Sequence, residues 1–111
     1  MEHRLLTSEQ FQRCFAQPMQ DITQTAKSVV DIWPYVDSLD LNSLGVERVN
    51  EVRSVYLDGR ERLEHVCIGT SRFNALLVII VDRVQRGILG HHLLDLNEEY
   101  GVAGTHLRGV E

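Results

Sequence analysis

The chain is short of the residues that staple small proteins or arm them chemically. Two of its 111 residues are cysteine, Cys14 and Cys67, far apart in sequence. A disulfide-stapled secreted domain carries more cysteines at closer spacing, so that class is excluded and both are expected as buried thiols. Lysine is nearly missing: Lys27 stands alone beside ten arginines and sixteen acidic residues, for a net charge of −5. The arginines are dispersed among acids and form no basic stripe, which argues against nucleic acid as a partner. The longest apolar run, Ala75 to Val81, is seven residues. A membrane-spanning helix needs about 20. The opening MEHRLLTSEQ lacks the apolar stretch of a secretory signal, so a cytoplasmic location is expected, with no membrane partner. No GxSxG, P-loop, GxGxxG or CxxC motif is present, and no cofactor is expected.

What is present is an ordinary globular composition, 43% hydrophobic and 24% charged, at a length that suits a single domain over 1–111. Thr7 and Gln10 fit a capping box, followed by Phe11, Cys14 and Phe15 on one helical face. Gln17-Pro18 ends that helix and Pro18 opens a second. Met19, Ile22, Ala26, Val29, Val30 and Trp33 then recur at helical spacing up to Pro34. A helical layer is therefore expected over residues 1–36.

Residues 35–48 are rich in turn formers. Val46, Val49, Val52 and Val55 recur every three residues, which fits neither period cleanly, and the later part, Val52 to Leu57, is expected as a strand because of the turn that follows it. Asp58-Gly59 reads as a two-residue type I′ hairpin turn. Ala75 to Asp82 is the most strand-like stretch, and Arg83 to Gly87 a tight connection with Gly87 at a bulge or left-handed position. Ile88 to Leu96 reads as a further strand. Asn97 to Gly101 suits one helical turn, and 101–111 a loose tail. Short links force antiparallel neighbours. The expected fold class is α+β, with N-terminal helices packed on one face of a four-stranded antiparallel meander over 49–96.

The sheet carries apolar residues on both sides. Leu76, Val78 and Ile80 alternate with Leu77, Ile79 and Val81, and the following strand sets Ile88, Leu94 and Leu96 against Leu89 and Leu93. Helices shield one side. Five wet aliphatic side chains on the other would forfeit on the order of 10 kcal/mol, comparable to a domain's whole stability. Hence the expectation of a homodimer burying Leu77, Ile79, Val81, Leu89 and Leu93. The competing arrangement folds residues 35–50 back over that side.

For chemistry, the histidines stand out. His91 and His92 are strand neighbours and point to opposite faces. His91 and Asp95 share a face about 13 Å apart, too far for contact. His65 paired with His91 or His92, with Glu64 or Asp95, is a conceivable metal set, but it has no known ligand spacing, so no metal site is assigned. Arg72 and Asn74 in a loop at the sheet end, with Trp33 and Tyr56 as aromatic surface, are candidate ligand contacts. The expected function is a small non-enzymatic binding or interaction protein for a protein or a small apolar ligand. The alternative is a small metal-dependent hydrolase or other enzyme using His65, His91, His92 and Asp95.

Overall fold

Ala75–Asp82 has an aliphatic side chain at every position but its last, and such a run is stable only as a strand covered on both sides. In the structure, a computed structural model describing residues 19–22 and 27–95 in full and 102–107 as backbone, this segment is strand β4 at the middle of a sheet. The strands are β1 (Met19–Asp21), β2 (Val49–Asp58), β3 (Leu63–Thr70), β4, β5 (Gly87–Asp95) and β6 (Val102–Leu107). They follow one another in the order β1-β2-β3-β4-β5-β6, each antiparallel to the next. A short helix, α1 (Trp33–Asp37), and a 3-10 turn (Leu41–Leu44) are the helical elements among the described residues.

The expected fold class is thus corrected. Instead of helices on a four-stranded sheet, the described residues form a six-stranded antiparallel meander with two short helical turns. The helical stripe from Met19 to Trp33 is not a helix at its start: Met19–Asp21 pairs with Asp58–Tyr56 as a strand, and Ile22 donates its N–H to the Val55 carbonyl at 3.0 Å. The edge of β2 would otherwise leave these backbone groups unpaired, and pairing them outweighs a marginal helical pattern. Val29, Val30 and Ile32 are β-branched and poor helix formers, and Pro34, expected to end or bend a helix, instead sits in the first turn of α1. The tail is corrected too, since Val102–Leu107 is a strand beside β5. The capping box at Thr7, the first helix and the turn at 97–101 lie outside the described residues.

The three-residue valine repeat has a specific cause. Val49 pairs with Thr70, Val52 with Ile68 and Val55 with Val66. Each step spends three residues on β2 against two on β3, so a β-bulge falls within each interval. A bulge adds one residue to one strand, and it turns the strand period of two into three. Val49, Val52 and Val55 therefore reach the same face. A third bulge, between Ile80 and Val81, places Leu89 opposite no residue and moves Ile88 to the side of Val81. Leu89 is half-buried there and is out of the register by which an unbroken strand would set it on the same face as Leu93.

The turns differ from expectation in the same way. Gly59 does not adopt the left-handed conformation; Glu61 does, at φ 56°. The link runs from Gly59 to Arg62, and the Asp58 carboxylate accepts the N–H of Arg62 (2.7 Å) and Leu63 (2.9 Å). In the β4–β5 turn Arg86, at φ 57°, takes the position expected of Gly87. Asp82 there accepts from the N–H of Gln85 and Val84, which, with Arg62 nearby, hold its carboxyl below the usual carboxylate range.

The sheet buries both faces. On the first, Val55, Leu57, Val66, Ile68, Leu77, Ile79 and Val81 pack against Ile22, Ile32 and Val36, with Val29, Val30, Tyr35, Leu39, Leu41 and Leu44 joining. Residues 27–46 thus form a strap across this face. On the second, Tyr56, Cys67, Leu76, Val78 and Leu94 form a cluster with Met19.

Candidate functional site

The strap is pinned to the sheet by polar contacts spread along its length. Near its start, Glu64 of β3 is wholly buried, and one carboxylate oxygen accepts the Val29 N–H at 3.3 Å. The other lies 3.4 Å from Nε of Arg83. At α1, the Tyr35 hydroxyl and Nδ1 of His91 share a hydrogen bond of 2.7 Å, their rings edge to face at 5.7 Å. At the 3-10 turn, Arg72 donates to the Leu44 carbonyl at 3.1 Å and forms an ion pair with the buried Asp95. Beyond it, Ser71 Oγ accepts the N–H of Glu47 and of Arg48.

Along its first part, from Lys27 to Trp33, the strap borders a cleft of about 390 Å³. Its strap side is Lys27, Ser28, Val30, Asp31, Ile32 and Trp33. Its sheet side is Val52, Val55 and Val66. The bulges of β2 are what bring Val52 and Val55 to the same wall. Local bonds shape the rim: Ser28 Oγ accepts the Val30 N–H at 3.3 Å, and Asp31 accepts the Trp33 N–H at 3.2 Å, closing a turn into α1. Four large hydrophobic side chains stay exposed among the described residues, namely Trp33, Val52, Phe73 and Val84. Two of them, Trp33 (38%) and Val52 (40%), meet in this one cleft.

The residues singled out in sequence fall in several places. Trp33 lines the cleft. Tyr56 is buried on the opposite face beside Cys67. Arg72 spends its guanidinium on Asp95 and Leu44, and Asn74 forms the β3–β4 turn at φ 57°. The four proposed catalytic side chains are split by the sheet. His91 shares the strap's face with Asp95, through pairing with Ile79 and Ala75, while His65 and His92 lie on the other, next to Ile80 and Val78. Between His65 and His92 runs β4, so their strands stand about 10 Å apart. Among the described residues no group of three or more His, Cys, Asp or Glu is placed to hold a metal.

Burial governs the two histidines of the second face. Desolvation lowers His65 to about 4, against the opposing pull of Asp58. It lowers His92 to about 4 as well, with repulsion from His65 and His91 adding to it. Both are neutral at pH 7.

Leu77, Ile79, Val81 and Leu93 are each at most 1% exposed within the single chain. The area that a second copy was expected to hide on this face is already covered by the protein's own segment. The cleft itself was not legible in sequence beyond Trp33, because Lys27 and Asp31 fall within the helical layer expected over 1–36, whereas residues 27–32 are not helical. Among the described residues, no helix is long and apolar enough to cross a membrane. No protein-family model, no curated protein and no solved structure matches this chain.

Proposed function

We propose that the protein is a small-molecule binding module whose site is the cleft between the strap and strands β2 and β3. The observation that carries this is the meeting of Trp33 and Val52, both exposed, over a floor of Val55 and Val66. Exposed large apolar side chains scattered singly need no explanation, but a concave pair of them forms a surface that water wets poorly. The volume lies at the small end of the range for ligand sites, which are mostly apolar with few polar groups. Lys27, Ser28 and Asp31 at the rim supply those groups.

Binding rather than catalysis fits the placement of the reactive side chains. His65 and His92 sit on the far face, and His91 is engaged by Tyr35 beneath α1. A homodimer through Leu77, Ile79, Val81, Leu89 and Leu93 has no place in this reading, since four of these five are covered by the strap.

The test is a titration with the neutral, fluorescent N-phenyl-1-naphthylamine. Trp33 is the only tryptophan, so its emission reports the cleft directly. Saturable binding with quenching of Trp33, weakened several-fold in Val52→Gln, is the expected result. No saturable binding, or binding indifferent to Val52→Gln, contradicts the proposal.

A further inference from the structure

The charge at the rim carries the reading one step further. Lys27 is the only lysine of a chain with net charge −5, and it sits at the cleft, exposed. No ion pair of the described residues engages its ammonium. Its neighbour Ser28 accepts the Val30 N–H through Oγ, which leaves the hydroxyl proton to be donated. Two adjacent residues lining the cleft therefore offer it three N–H donors and one O–H donor. The one carboxylate there, Asp31, already accepts the Trp33 N–H and so serves the turn into α1.

On the strength of the cleft being a binding site, we infer that its ligand is a small amphipathic anion with a single negative charge. Its head group, a carboxylate or an equivalent singly charged acid, meets Lys27 and Ser28, and its aromatic or branched body lies between Trp33 and Val52. A doubly charged head would face Asp31 with only one cation to balance it. An organic cation would meet the Lys27 ammonium at the same rim. In a chain of negative net charge, this lysine is the local feature that draws an acid to the cleft.

The experiment is a competition series with one apolar body and three charges: 1-naphthylacetate, 1-naphthylmethanol and 1-naphthylmethylammonium, each displacing N-phenyl-1-naphthylamine. The acetate should displace it at a concentration roughly fivefold or more below the alcohol, as befits a partly sheltered ion pair with a charge-assisted hydrogen bond, and the ammonium should be weakest. In Lys27→Gln, at an exposed position, acetate and alcohol should become equal. Ser28→Ala should narrow the gap. If the alcohol or the ammonium competes as well as the acetate, or if Lys27→Gln leaves the order unchanged, the inference falls while the binding cleft stands. If the fluorescent probe shows no saturable, Val52-dependent binding, the cleft reading falls and this inference with it.

Discussion

His65 and His92 are each 3% exposed on the second face, and their pKa values are lowered to about 4 by desolvation. In the unfolded chain each titrates near 6.5. Between those values the unfolded state binds more protons than the folded one, so acid favours unfolding. Stability should be flat above pH 6.5 and fall as pH drops toward 4, by roughly 3 kcal/mol per histidine at the lower end. Urea unfolding at pH 7.5 and pH 5 measures this, and His65→Asn or His92→Asn should flatten the difference; equal midpoints for the parent protein at both pH values contradict it. Arg86 makes a second residue-scale case. It holds φ 57° without being glycine, while the adjacent Gly87 has an ordinary φ and open space where a Cβ would sit. Arg86→Gly should therefore stabilise the protein by about 1 kcal/mol, and Gly87→Ala should be close to neutral, both read from thermal denaturation. Sequence alone pointed to Gly87, because glycine is the residue that tolerates a left-handed turn most cheaply. The bonds from Val84 and Gln85 to Asp82 set the turn one residue earlier.

At the scale of elements, the strap depends on a buried charge. Glu64 is fully enclosed, Arg83 reaches it from a position with 31% of its side chain exposed, and Val29 donates to it. Removing the cation strands a buried carboxylate, so Arg83→Met should cost on the order of 3 kcal/mol, more than Glu64→Gln, which keeps an acceptor for Val29. The double variant should recover part of the loss. Chemical denaturation measures all three; Arg83→Met without effect removes Glu64 as the strap's anchor. Elements were legible where the period was clean. β3, β4 and most of β5 follow from their aliphatic content and from the short links that force antiparallel pairing. The helical stripe misled because Met19, Ile22, Val29 and Val30 serve a strand edge and a strap, whose spacing happens to match a helix. The valines of β2 were opaque for the opposite reason: their period of three belongs to two bulges, and a bulge leaves no separate mark in sequence.

For the whole molecule, β4 carries apolar residues that are buried on both sides, and the side expected to meet a second copy packs against the chain's own strap. One chain hides Leu77, Ile79 and Val81 under its own residues 27–46. Ile79→Ala, at the centre of that face, should cost about 2–5 kcal/mol, and a loss well under 1 kcal/mol in denaturant unfolding would mean the strap does not pack there. The cleft beside the strap, lined by Trp33 and Val52, carries the account of function. Methyl-resolved NMR during titration with 1-naphthylacetate tests that most directly, because the two faces carry distinct reporters. The methyls of Val30, Ile32, Val52, Val55 and Val66 should shift together and saturate, with Val78, Ile80 and Leu94 still. Shifts centred on Val78, Ile80 and Leu94, or none in either set at saturating ligand, would contradict it.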